Sequence, residues 1–376
     1  MKDQSYDLIV IGAGCAGLSL AHRLSLLPDL QSRILFLEAR AQYVHDKIWC
    51  HWEHDRSLLD ARWRGYSWSR MQIGDENRTV TVETGSKAYV AVESLPFYRS
   101  VVDDVARSSH LSLRMDSKVS MPLQREGESF RIPVGSDVFQ SPHVLDTRPT
   151  MGRLRYPGMW QSFLGWEIET DASRFDPETI TLMEFVRPSS YVLEFLYVLP
   201  FSERHALVEW TVFDPRPIAP EVFSDRLAKK ILAIVKGSAT RRIRVERGVL
   251  PMGRLESPHS EPGLTHASLG AGMARISTGY AFSNIQRWAA RCAGEIEVRG
   301  KPCGPLSAPK SLDWMDQFFL ARMQRAPERA PDFLMDLFEK ADHQNLLELL
   351  EGRASAQNLM SVVGSQIPGF LGIKGW

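Results

Sequence analysis

Four residues near the start of the chain have the types and spacing to hold a dinucleotide. Gly12, Gly14 and Gly17 stand in the run Gly12-Ala13-Gly14-Cys15-Ala16-Gly17, and Glu38 follows 21 residues past Gly17. Gly12 permits a tight turn, Gly14 lets backbone approach a pyrophosphate, and Gly17 lets a helix lie close to a strand. The amides of that helix's first turn would meet the phosphates, and Glu38 would accept from a ribose hydroxyl. A glycine pattern alone is weak evidence. Here its neighbours agree: Tyr6 to Ile11 is a buried-strand run, Leu18, Ala21 and Leu24 recur at helical spacing, and Arg33 to Leu37 is a second strand ending on Glu38. The position so early in the chain favours FAD over a nicotinamide.

The elements that position these residues divide the 376-residue chain into two domains and a tail, in line with a prior of about 150 residues per domain. Residues 94–109 read as a helix, 111–113 as a strand, and 143–146 as a buried strand ending on Asp146. Four β-like runs follow, Trp160 to Glu169, Ile180 to Phe185, Tyr191 to Leu199 and His205 to Phe213, with turn residues between them. They predict an antiparallel sheet. A helix is expected over 221–235, a strand over 241–249, and a second glycine-rich loop at Gly270, Gly272 and Gly279 before a helix from Ala281. Residues 312–352 read as helical, and 41–90 as irregular and rich in tryptophan. The expected fold is α/β. A Rossmann-type parallel sheet, of the glutathione-reductase and hydroxylase kind, is assembled from 1–60, 91–150 and 241–305. The inserted sheet domain takes 61–90 and 151–240, and a helical region takes 306–376.

Composition narrows the function classes. Hydrophobic residues at 44% and charged residues at 24% are those of a globular chain. Lys plus Arg (45) equals Asp plus Glu (45), which leaves no bulk charge to attract nucleic acid. The four scattered cysteines lack metal-ligand spacing and read as free thiols, with no metal site expected. No signal peptide is apparent. The longest apolar stretch, Tyr191 to Phe201, is interrupted by Glu194 and Pro200, whereas a span needs about 20 residues.

Several segments together are far more specific. Asp7 to Gly14, Gln161-Ser162-Phe163-Leu164-Gly165, Leu182-Met183-Glu184-Phe185, Phe195 to Pro200, Ala206-Leu207-Val208-Glu209-Trp210-Thr211, Glu246 to Pro251 and Ser277-Thr278-Gly279-Tyr280-Ala281-Phe282 occur in that order. The chain thereby resembles the bacterial and plant lycopene cyclase family of flavoproteins. The resemblance implies an enzyme that holds reduced FAD, with NAD(P)H as reductant. Such an enzyme closes the ψ-end of a linear carotenoid into a β-ionone ring without net redox change. It also implies that Glu209 is the catalytic acid. The chain departs from the family pattern at Glu184, where aspartate is usual, and at Gly270-Ala271-Gly272, where a double glycine is usual. The second loop lacks the Gly-Asp pair of flavin hydroxylases, and Trp166-Glu167-Ile168 does not match the halogenase signature.

Ring closure of a polyene needs a proton on a terminal double bond, an apolar slot and something to stabilise a carbocation. A carboxyl group protonates an alkene only if its pKa is raised, and burial raises it. Alternation puts Leu207, Glu209, Thr211 and Phe213 on one strand face, so Glu209 stands in a mostly apolar row. A glutamate on the wet face of an edge strand is the competing reading, and Glu194 and Glu184 are rival carboxylates. Tyr197, Trp210 and Tyr280 are candidate lining residues; Asp146, with Gly270, Gly272, Thr278 and Gly279, is expected at the flavin crevice. Other readings are a monooxygenase or prenyl reductase, a cyclase of another isoprenoid, and a binding protein without catalysis. A bilayer-dwelling substrate implies a cytoplasmic protein attached peripherally to the inner membrane face, with the tail Ile367 to Trp376 as its docking segment.

Overall fold

The computed structural model describes residues 3–53, 59–149, 152–256 and 261–365. The tail Ile367 to Trp376 lies outside them. The apolar run Leu8–Ile11 forms the middle of a five-stranded parallel sheet, in the order Leu264–His266, His143–Asp146, Leu8–Ile11, Ile34–Leu37, Leu111–Arg114. Both faces are covered. Leu8 and Val10 pack with the helices Cys15–Ser25, Ser94–Arg107 and Phe282–Arg299. Ile9 and Ile11 pack against Phe130, Ile132 and Phe139. Those residues belong to a small sheet of Asp3–Ser5, Gln124–Glu126, Ser129–Val134 and Asp137–Ser141, which the sequence reading did not foresee.

A seven-stranded sheet forms the second domain, in the order Thr240–Met252, Met159–Thr170, His205–Asp214, Leu193–Ser202, Thr179–Phe185, Arg70–Gly74, Thr79–Glu83. Neighbours are antiparallel except Thr179–Phe185 and Arg70–Gly74. Two expectations are corrected here. The stretch 41–90 is not irregular: Thr79–Glu83 alternates buried and exposed residues as a strand with one wet face does, and Ile48–Trp52, Tyr89–Glu93 and Ser67–Trp68 pair into a three-stranded sheet. Thr240–Met252 belongs to the large sheet rather than to the nucleotide-binding domain, because its long register with Met159–Thr170 claims it.

The large sheet has two differently covered faces. Helix Ser224–Val235 seals one, over Trp210, Val208 and Leu196. The other faces the C-terminal helices Lys310–Arg325, Ala330–Lys340 and His343–Leu350, which Pro327 and the Ala341-Asp342 corner separate. Between that face and the parallel sheet lies the cavity described below.

The junction of strand and first helix is the tightest point of the fold. A Cβ at Gly17 would lie 2.2 Å from the carbonyl oxygen of Gly12, which itself has φ +93°. Backbone cannot yield there as a side chain can. Gly17→Ala is therefore expected to lower the urea-unfolding stability by about 2 kcal/mol, the usual scale for overpacking; an unchanged midpoint would contradict this contact.

Candidate active site

One cavity of about 990 Å³ runs from Gly12, Gly14 and Glu38 to Glu209 and on to Met315 and Phe319. At its nucleotide end, a Cβ on Gly14 would meet nothing closer than the Arg40 guanidinium at 4.0 Å, so the turn is open to a ligand. No side chain caps helix Cys15–Ser25 and no acid stands in its first turn, which leaves amides and the positive dipole end facing the cavity. Glu38 accepts from the Ala13 amide at 2.9 Å and from the Arg40 amide and Nε, each at 2.9 Å. Burial opposes its charge, but Arg40 and these donors hold its carboxyl below the usual range. An ionised acceptor at the end of the second strand and free amides at the first helix fit the ribose and pyrophosphate of a dinucleotide.

Other residues expected at the crevice divide. Thr278 and Gly279 line the cavity, together with Ser268, Leu269 and Met273, which were not expected there, whereas Gly270 and Gly272 do not. Both lie in or just after the short turn Leu269–Ala271. Thr278 donates to the carbonyl of Leu350 at 3.1 Å, tying the loop to the C-terminal helices. Asp146 is also absent from the wall: its carboxylate accepts from the Arg148 amide at 3.0 Å, from Nε at 2.9 Å and from Nη2 at 2.7 Å. It positions Arg148, which does line the cavity.

At the other end, four strands place one row of residues side by side. The register sets Tyr197 opposite Glu209, Glu209 opposite Gly165, and Gly165 opposite Glu246, and paired residues project from the same face. Glu209 and Glu246 are both buried, and only a glycine separates them. A Cβ at Gly165 would stand 3.3 Å from Glu209 Cβ and 3.4 Å from its Oε2. The Thr211 hydroxyl donates to Glu209 Oε1 at 3.0 Å. Burial, reinforced by the like charge of Glu246, pushes the Glu209 carboxyl up to about 8. Glu246 is raised as well, by burial, against the opposing pull of Arg244 and Lys47.

Around this row the wall is aromatic. The Tyr89 hydroxyl bonds those of Tyr197 at 2.9 Å and Tyr280 at 3.0 Å, and Trp52 packs on Tyr280 with ring centroids 4.8 Å apart. Phe163, Phe195 and Phe213 continue the sheet side; Met315, Phe318 and Phe319 supply the helix side. Tyr197 and Tyr280 both line this cavity.

Glu194, Glu184 and Trp210 do not. Trp210 is out of phase with Glu209 and packs under helix Ser224–Val235, donating from Nε1 to Glu194 at 3.0 Å. Glu194 also accepts from Ser189 and Arg226. Glu184 pairs with Lys230 of the same helix. These two carboxylates serve the far face of the sheet, where Arg226 and Lys230 pair with them. The sequence reading missed Glu246, Arg244 and Lys47. Arg244 donates to Glu246 at 2.9 Å and to Glu167 at 2.8 Å, and Lys47 reaches the carbonyl of Arg247 and sits over Phe163, 5.5 Å from its centroid. Their signal was available: Arg244, Glu246 and Gly248 alternate along one strand as Leu207, Glu209 and Thr211 do along another.

The fold and this cavity define a dinucleotide-binding α/β protein with a sheet domain over the nucleotide site, the architecture of flavin-dependent monooxygenases and reductases. The chain belongs to the lycopene cyclase protein family, whose model matches residues 7–369. No curated protein matches it. Among solved structures it is similar to a geranylgeranyl bacteriochlorophyll reductase-like protein from Thermoplasma acidophilum, at 13% identity over 97% of this chain and 96% of that one, with a TM-score of 0.63. The flavin-dependent brominase Bmp2 aligns at 13% identity over 98% and 99% of the two chains, with a TM-score of 0.66. The Diels–Alderase PyrE3 of pyrroindomycin biosynthesis aligns at 15% identity over 94% of this chain and 81% of that one, with a TM-score of 0.59. At such identities the likeness is one of fold.

The raised Glu209 pKa has a stability consequence. The folded state holds a proton there that the unfolded state releases above the ordinary glutamate range. Stability contributed by this group is therefore full at low pH and declines as pH rises toward about 8. Urea midpoints measured from pH 5 to pH 9 are expected to decline less steeply in Glu209→Gln than in the unsubstituted protein; parallel curves would place the carboxyl in water.

Proposed function

We propose that the protein binds FAD and, with the flavin reduced at the expense of NAD(P)H, closes the ψ-end of a linear carotenoid such as lycopene into a β-ionone ring. The observation that carries this reading is a buried glutamate, held by a threonine hydroxyl, in the wall of an apolar cavity continuous with a dinucleotide-type turn. Family membership supports it. Reduced flavin would supply negative charge beside the forming cation.

The chain's own residues do the rest. Gly14, the amides of helix Cys15–Ser25 and Glu38 would hold the dinucleotide. Phe163, Phe195 and Tyr197 on the sheet and Phe319 on the facing helix exclude water and grip the polyene end. Aromatic faces turned to the cavity also offer the cation a favourable quadrupole. Glu209 gives its proton to the terminal double bond, the neighbouring double bond attacks the resulting tertiary cation, and loss of a proton leaves the ring alkene. One proton enters and one leaves, so no electrons are consumed.

Anaerobic incubation with lycopene and reduced FAD, followed by product chromatography, tests this. A cyclic product without stoichiometric NAD(P)H oxidation is expected; substrate-dependent, stoichiometric oxidation would replace the reading with a redox one. Glu209→Gln should lower turnover by about 10²- to 10⁴-fold, the usual worth of a general acid. Activity of the unsubstituted enzyme should fall as pH rises through about 8, where Glu209 ionises.

A carotenoid resides in a bilayer, and the reading includes peripheral attachment. Among the described residues, no helix is long and apolar enough to cross a membrane. The cavity reaches the surface beside helix Lys310–Arg325, where Trp314 lines it and is 65% exposed. An indole so placed suits the interfacial region of a bilayer. Trp314→Glu should reduce co-sedimentation with phosphatidylglycerol-containing vesicles severalfold; equal binding would move the docking face elsewhere.

A further inference from the structure

The row Glu209–Gly165–Glu246 puts two carboxyl groups on the same cavity wall, and their partners differ in kind. Glu246 accepts two fixed hydrogen bonds, from the Ile48 amide at 3.2 Å and from Arg244 at 2.9 Å. An amide and a guanidinium only donate, so this pair of bonds suits an ionised acceptor. Arg244 is held in turn by Glu167, which His205 also contacts at 2.9 Å. Glu209 has a hydroxyl partner, Thr211, which tolerates either protonation state. The titratable and charged groups facing Glu209 are Glu246 and Arg244 from one strand, Lys47 and Cys50 from the segment around Ile48–Trp52, and Tyr197 from the neighbouring strand. Two buried carboxylates this near one another do not both ionise readily.

We propose that Glu209 and Glu246 form one acid–base pair holding a single proton, in which Arg244 fixes the charge on Glu246, Glu209 delivers the proton to the alkene, and Glu246 accepts the proton that the ring cation releases. The second half rests on the cyclase reading; the first does not. The balance closes. The O–H bond of Glu209 breaks as a C–H bond forms at the alkene terminus, and one alkene pair becomes the ring C–C bond. A C–H bond beside the cationic carbon then breaks, its electrons become the ring double bond, and its proton goes to Glu246. Transfer from Glu246 to Glu209 across the gap at Gly165 restores the starting state, with no oxidant or reductant. A tertiary ring cation can lose a proton from more than one neighbouring carbon, so the position of the base selects the product isomer.

Infrared titration of the FAD-bound protein tests the pair without turnover. A protonated-carboxyl band that disappears with a midpoint near pH 8, absent in Glu209→Gln, is expected. In Glu246→Gln its midpoint should fall by about one unit or more, since a like charge has been removed. Glu246→Asp, which keeps Arg244 paired but withdraws the charge by one methylene, should move it the same way by less, and serves if the glutamine variant fails to fold. An unchanged midpoint in whichever variant folds would overturn the pair. Product analysis tests the second half: Glu246→Gln should shift the product toward ring isomers with a displaced double bond or toward a hydrated ring, and an unchanged isomer would free Glu246 of the base role. A protein that shows the midpoint shift but forms no ring product would sink the cyclase reading and leave the shared proton standing.

Discussion

A carboxyl group that cannot reach water must either keep a proton or find a cation. In this protein, position relative to one sheet decides which. On the face covered by helix Ser224–Val235, the buried Glu194 finds Arg226. On the cavity face Glu246 finds Arg244, and Glu209, one strand beyond the Gly165 gap, finds a threonine hydroxyl. The strand alternation that separates Glu209 from Trp210 therefore separates an acid from a structural residue. The rest of the site follows from keeping that acid dry: four sheet strands behind it, aromatic rings beside it, and the C-terminal helices across the cavity.

The nucleotide end and the acid end depend on different physics yet share one cavity. The first is built from backbone: free amides, a helix dipole and close approach at Gly12 and Gly17, where side chains would intrude. The second is built from side chains whose protonation the surrounding low dielectric controls. Their continuity would bring a dinucleotide held at one end and the buried carboxyl at the other into one chamber. A fold shared with a brominase and a reductase-like protein leaves the chemistry open; in this chain the wall opposite the nucleotide end is set by a few residues on the large sheet.

Much of this was legible in the sequence, for identifiable reasons. Strand Leu8–Ile11, the glycine turn and Glu38 announce themselves because each is constrained by geometry that few residue types satisfy. Glu209 was legible through its apolar row together with the family resemblance of the segment Ala206 to Thr211. The same two-residue period, applied strictly, would have set Trp210 aside, since it must point away from Glu209. Glu194 and Asp146 misled because an acid beside apolar residues looks the same whether it faces a cavity or an arginine; only tertiary contacts supply Arg226, while Arg148 lay two residues away as a partner. Glu246 escaped notice because its strand is rich in arginine, so its alternation carried no apolar row, and its place beside Glu209 comes from register with Gly165. Residues 41–90 defeated the reading because their strands are only two to five residues long, and one of them, Arg70–Gly74, also pairs with Thr179–Phe185 far along the chain.

The central claim is that a proton, and not an electron pair from outside, starts the reaction. Its most direct measurement is the isotopic content of the product formed from lycopene by the holoenzyme pre-equilibrated in deuterium oxide with reduced FAD. The account predicts one deuterium per ring closed, on the carbon that had been the proton-accepting end of the terminal double bond. A cyclic product carrying no deuterium at that carbon, or a product whose formation takes up two electrons per ring, would contradict it.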